Sequence, residues 1–159
     1  MSMNAYFRRM SYGTIHKILS SPEWLPRVIF TECDKTTLDI DKSWHIIHYL
    51  LCGSAQTTDE LISEVILGGR PISADDLGCG PARYFEPLKV ALIADELAPI
   101  DAKQLMRHYS VGKFSRAGIY GKCSDAVDDI SFISCNFDSL KAFYITAAHN
   151  KEGIITVII

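Results

Sequence analysis

Two short segments of the chain hold residues whose types and spacing suit chemistry. In the first, Asp41, His45, His48 and Cys52 recur at i, i+4, i+7 and i+11. At helical geometry of ~100° per residue they fall within an arc of about 60°, one polar ridge on one face. Imidazole, carboxylate and thiol are metal-ligand types, and neighbours three or four apart on a helix can converge on one ion. The spacing is not a metal signature, however. His45 and His48 are three apart with only isoleucines between them, unlike the H-E-x-x-H pair. The expected ridge is therefore structural: His48 borders the core, His45 is solvated, Asp41 favours the helix N-terminus, and no metal is bound.

The second segment is Asp75-Asp76-Leu77-Gly78-Cys79-Gly80-Pro81-Ala82-Arg83-Tyr84. Gly78 and Gly80 let backbone N–H groups approach a ligand as an anion-binding nest, and Arg83 adds a charge-assisted fork for carboxylate or phosphate. The segment lacks the Gly-Lys-Ser/Thr of a Walker loop and is not a dinucleotide fingerprint, so no cofactor is expected. Cys79 needs both a lowered thiol pKa and a neighbouring base to act as a nucleophile, and the sequence places no histidine beside it. No G-x-S-x-G elbow supports a serine hydrolase. His16, His108 and His149 stand alone and read as surface or helix-end residues.

The elements that position these groups follow from hydrophobic period and cap residues. Ala5 to Met10 reads as a strand. Ser11 caps a short helix carrying Ile15, Ile18 and Leu19 that ends before Pro22. The ridge helix is expected over 39–53, with Asp39 as N-cap, Ile40, Trp44, Ile47 and Leu51 as its apolar stripe, and Gly53 at C′. Thr57 with Glu60 forms a capping-box pattern for a helix that Gly68 ends. Residues 70–85 read as loop with short extended pieces, Pro87 opens a helix, and Asp101 caps another. Ile130, Ile133, Phe137, Leu140, Tyr144 and Ala147 keep one buried helical stripe, with Gly153 as its stop. The run 154–159 lacks alternation, as a strand covered on both faces does. The expected architecture is a layered, single-domain mixed α/β protein: a small mixed sheet, with a central strand from each chain end, surrounded by several helices.

Composition narrows the function classes. A length of 159 residues suits one domain, and 48% hydrophobic with 22% charged residues excludes a disordered chain. A net charge of −3 with scattered basic residues gives no footprint for nucleic acid. The tightest basic cluster, Arg8 with Arg9, is expected to flank a strand. No signal peptide and no run of ~18 uncharged apolar residues is visible, so a cytoplasmic protein that does not span a membrane is expected. Cys33, Cys52, Cys79, Cys123 and Cys135 form no C-x-x-C pair, which fits reduced thiols better than disulfides.

Three segments together resemble the YfbM-like family. Leu38-Asp39-Ile40-Asp41-Lys42-Ser43-Trp44-His45 with His48, Leu50 and Gly53 is similar to its central motif. Asp76-Leu77-Gly78 and Gly80-Pro81-Ala82-Arg83-Tyr84 with Pro87 resembles its second motif, and Leu140-Lys141-Ala142-Phe143-Tyr144 its ending. The resemblance implies a small bacterial protein with a layered α/β fold and no assigned activity or catalytic residues.

Two functions from different classes follow. The leading expectation is a binding protein without catalytic machinery, with a cleft between the 39–53 helix and the 78–84 loop. Asp41, Trp44, His45, His48, Gly78, Gly80, Arg83 and Tyr84 are its candidate lining, and its partner is a small anionic molecule or another protein. The rival is an enzyme using Asp41, His45 or His48 as acid–base groups on a substrate held by Arg83. Neither ligand nor oligomeric state is legible.

Overall fold

The computed structural model describes residues 2–29 and 35–159. Cys33 lies outside them. Strands β1 (Ala5–Met10), β2 (Thr37–Asp39), β3 (Arg70–Pro71), β4 (Arg83–Phe85) and β5 (Gly153–Ile158) form one sheet in the order β2-β1-β5-β4-β3. The protein is mixed α/β, but every strand pairing is antiparallel rather than mixed. The two chain ends pair at its centre: β1 runs against β5 from Ala5 opposite Ile158 to Met10 opposite Gly153. All six residues of β5 are buried, as the absence of alternation in its sequence implies.

Alternation sorts the strand side chains onto two faces. Ala5, Phe7, Phe85, Ile154 and Ile158 face the larger core. It is built with α3 (Trp44–Cys52), α4 (Glu64–Leu67), α5 (Pro87–Leu97), α6 (Ala102–Met106), α7 (Val111–Ala117) and α8 (Val127–His149). Met10, Ala82, Ile155 and Val157 face a smaller core, closed by Ile15 and Ile18 of α1 (Tyr12–Ser20) and Leu25 of α2 (Leu25–Ile29). The sheet is thus the middle of three layers. Arg8 and Arg9 lie inside β1 rather than beside it, and both are committed internally. Arg8 donates to the Val28 carbonyl, and Arg9 pairs with Glu152 at 2.7 Å.

Four single-residue signals held. Ser11 caps α1 by accepting from the Thr14 N–H, Pro87 opens α5, and Asp101 caps α6 by accepting from the Lys103 N–H. Gly53 ends α3 in the left-handed region at φ +71°. Four boundaries differ. Asp39 closes strand β2 instead of capping a helix, its carboxylate accepting the Asp41 N–H, and α3 begins only at Trp44 after a 3₁₀ turn. The Thr57–Glu60 box does not form: the Thr58 hydroxyl accepts the Glu60 N–H instead, the Ser63 hydroxyl accepts the Thr58 N–H and bonds the Thr58 and Glu60 carbonyls, and α4 begins only at Glu64. Helix α7, capped by the Ser110 hydroxyl, follows α6 where a single short helix was expected.

Helix α8 stops at His149, with Lys151 in the left-handed region at φ +56°, so Gly153 is not its stop. Gly153 instead begins β5. A Cβ there would sit 2.3 Å from Ile15 Cδ1 and 2.6 Å from the Phe85 carbonyl oxygen, so the residue permits close approach of a helix and a strand.

Candidate functional site

The cleft that matters lies at the end of β5 on the larger-core face. It encloses about 410 Å³ between the start of α3, segment 55–57, segment 79–83 and the sheet. Its apolar walls come from Met3, Trp44, Ile66, Leu67, Pro81 and Ile158. The polar lining is Arg83, Thr156, His45, Tyr120, Gln56, Thr57 and Cys79. Arg83 is the one charged side chain among these residues, and no carboxylate lines the cleft with it.

Strand pairing sets Arg83 beside Thr156. The two are directly opposed in the β4–β5 ladder, which puts both side chains on the same face. The Arg83 guanidinium donates through Nη1 to the Gly69 carbonyl at 3.1 Å, and among the described residues no carboxylate pairs with it. Arg9, Arg70 and Lys89 differ, meeting Glu152, Glu86 and Glu64. Thr156 is 3% exposed, and its Oγ1 has no hydrogen-bond partner among the described residues. A buried hydroxyl in that state costs roughly 1–3 kcal/mol.

An aromatic stack forms the opposite wall. Trp44 lies against His45 with centroids 4.7 Å apart and planes 10° apart, and against Tyr120 at 5.8 Å and 25°. Trp44 Nε1 donates to the Met3 carbonyl, and the Met3 N–H donates to the Tyr120 hydroxyl oxygen. His45 is buried rather than solvated. Its Nδ1 accepts the Tyr120 N–H at 2.9 Å, so its Nε2–H donates to the Ala55 carbonyl at 3.0 Å. Both ring nitrogens are used within the fold, and burial pushes the His45 pKa down. A neutral imidazole so placed has no lone pair for a metal or a substrate proton. His48, almost wholly buried, likewise has its pKa lowered by burial, and it contacts the Cys52 sulfur at 3.4 Å.

Loop 75–80 fills its own anion nest. The Asp76 carboxylate accepts the Gly78 N–H at 2.8 Å and the Gly80 N–H at 2.9 Å, and these bonds lower its pKa. The Cys79 N–H in turn donates to the Ile158 carbonyl, docking the loop on the end of β5. The glycine amides therefore shape the rim of the cleft and present no donor to an external anion, leaving Arg83 as its cationic group.

Of the eight candidate residues, Trp44, His45 and Arg83 line this cleft, while Gly78 and Gly80 flank lining residues Cys79 and Pro81. Asp41 and His48 are not in it. The ridge of Asp41, His45, His48 and Cys52 does not stand in solvent, because α3 packs on both sides and takes both histidines inside. Among the described residues no group of three His, Cys, Asp and Glu side chains is placed to hold a metal ion. Tyr84 follows Arg83 in β4, so alternation puts it on the opposite face, packed against the smaller core. Tyr120, Gln56 and Thr156 were not anticipated. Only Thr156 carried a signal, as the single polar residue in the apolar run 154–159.

Helices on both sides of an antiparallel sheet, with an apolar cleft carrying one cation at the end of its central strand, define a small layered α/β protein. Residues 1–157 match the family described as Domain of unknown function (DUF1877), and the chain belongs to that family. It is similar in structure to YfbM from Escherichia coli, a protein of unknown function. The TM-score is 0.77 at 20% identity over 100% of both chains, a likeness of fold. No curated protein matches the chain. Among the described residues no helix is long and apolar enough to cross a membrane.

Proposed function

We propose that this protein is a binding module for a small anionic molecule, held in the cleft between α3 and segment 79–83. The observation that carries this reading is Arg83: a half-buried guanidinium, the one charge among the lining residues, with a carbonyl but no carboxylate as partner. A cation in a partly desolvated cleft interacts more strongly with an anion than it would in water. The cleft volume of about 410 Å³ falls within the range of small-ligand pockets.

The acid–base reading fares worse on the same geometry. His45 shares the cleft with Arg83 but has both nitrogens engaged, and Asp41 and His48 lie outside the lining.

The test is a thermal-shift screen of the purified protein against carboxylates, phosphates, nucleotides and sugar phosphates, with Arg83→Gln in parallel. A ligand that binds the folded state raises the melting temperature by mass action. The reading requires at least one anion whose shift disappears in the variant. Shifts equal in both proteins, or none from any anion, would remove the site.

A further inference from the structure

The donor set at the floor of the cleft is specific enough to choose between anions. We infer that the ligand is a small monocarboxylate with an apolar body, its carboxylate anchored at two points by the Arg83 guanidinium and the Thr156 hydroxyl. This rests on the anion-binding reading of the same cleft and narrows it.

Charge count is the first argument. Arg83 supplies one positive charge, and no second cation among the described residues lines the cleft. A carboxylate is neutralised by one guanidinium. A phosphate monoester carries close to two negative charges at neutral pH and would leave the excess without a counter-charge among those lining residues. The backbone donors that usually cradle phosphate are closed off here, because Asp76 occupies the Gly78 and Gly80 amides.

Donor geometry is the second argument. A carboxylate presents two oxygens in one plane, which suits the planar edge of a guanidinium and leaves lone pairs for a second donor. Arg83 Nη1 is turned to the Gly69 carbonyl, which fixes the orientation of the fork. Thr156, opposite Arg83 in the ladder, has a buried hydroxyl that lacks an acceptor, the group a carboxylate oxygen supplies. Beyond these two donors the walls combine Ile66, Leu67, Pro81 and Ile158, which accept hydrocarbon, with the uncharged polar side chains of His45, Tyr120, Gln56, Thr57 and Cys79.

The experiment measures melting temperature and then titrates hits by calorimetry. The probes are benzoate, phenylacetate and hexanoate, each beside its primary amide, together with phenyl phosphate and inorganic phosphate. The proteins are the natural chain, Arg83→Gln, Arg83→Lys and Thr156→Val, each checked for a cooperative melt without ligand. The expected result is stabilisation by at least one carboxylate and not by its amide. That binding should be lost in Arg83→Gln, weakened in Arg83→Lys, and weakened about tenfold in Thr156→Val, the cost of one charge-assisted hydrogen bond. Phosphates that bind through Arg83 while carboxylates do not would overturn the monocarboxylate assignment and leave the anion-binding reading standing. Carboxylate binding unchanged in Thr156→Val would overturn the two-point anchor. Probe shifts that survive in Arg83→Gln, or no shift from any probe, would overturn this assignment; loss of the anion site as a whole is decided by the broader screen.

Discussion

Arg83 and Thr156 face each other across the β4–β5 ladder, a half-buried cation beside a buried hydroxyl without an acceptor, on the side of the sheet that otherwise holds Phe7, Phe85, Ile154 and Ile158. Both side chains are polar on a face otherwise held by hydrocarbon. A hydroxyl kept where a methyl would fit is a stability cost that the core itself does not explain, and it is coupled by register to the one charge in the cleft.

Thr156→Val is expected to raise stability of the ligand-free protein by about 1 kcal/mol, because it replaces the unsatisfied hydroxyl with a methyl of similar volume. Chemical denaturation checks this, with the midpoint moving up at unchanged slope. A destabilised variant would mean that Oγ1 makes a structural bond.

Acidification is expected to destabilise the fold through His45 and His48. Burial lowers both folded-state pKa values from the ordinary 6.5, so the unfolded chain binds protons more readily. The stability these neutral imidazoles contribute is complete above about pH 6.5 and is lost as pH falls from there through the folded-state values. Protonating His45 also puts a hydrogen on Nδ1, against the Tyr120 N–H. Melting curves between about pH 7.5 and 5 should fall with pH, and His45→Gln should flatten that dependence. An equal slope in both proteins would assign the effect elsewhere.

Thiol reactivity should separate the described cysteines. Cys79 and Cys135 are exposed, whereas burial raises the pKa of Cys52 and Cys123 and slows their reaction. In a Cys33→Ser background, a bulky maleimide should label Cys79 and Cys135 first, as read by peptide mass. The adduct on Cys79, at the cleft, should abolish anion binding, while Cys79→Ser protects it. Binding unaffected by complete Cys79 labelling would place the ligand elsewhere.

Tyr144 ties the two ends of the larger core. It is fully buried on α8, its hydroxyl donates to the Val65 carbonyl of α4 at 2.6 Å, and burial keeps that hydroxyl protonated. Tyr144→Phe leaves the carbonyl without its donor and should cost about 1–3 kcal/mol in denaturant titration. A neutral outcome would show that water satisfies Val65.

How much of this was legible depended on how far each signal reaches along the chain. The stripe Ile133, Phe137, Leu140, Tyr144 and Ala147 is periodic over about four turns and produced α8, and the unalternating 154–159 run produced a strand buried on both faces. Caps at Ser11, Asp101 and Pro87 need only a few neighbouring residues and formed as read. The Thr57–Glu60 box failed because the adjacent Thr58 hydroxyl accepts the Glu60 N–H that Thr57 would have capped, while Ser63, outside the pattern, bonds the Thr58 N–H and the Glu60 carbonyl. The ridge of Asp41, His45, His48 and Cys52 was correctly placed near one helix, with His48 at the core, but its His45 was wrongly given to solvent. A helix wheel ranks faces by polarity, and it does not say that Tyr120, 75 residues away, brings the backbone donor that lets His45 be buried.

The sequence by itself determined the α/β class, the buried terminal strand, the starts of α1, α5 and α6, and the two segments whose neighbourhood holds the cleft. These depend on interactions within a few residues or on a hydrophobic period that repeats. Tertiary structure alone decided that the Cys79 N–H docks the glycine loop on the Ile158 carbonyl and that Thr156 stands beside Arg83. Those outcomes are set by strand register and loop closure between segments 73 residues apart (156 minus 83), and a register is fixed only when the whole sheet and its two cores assemble.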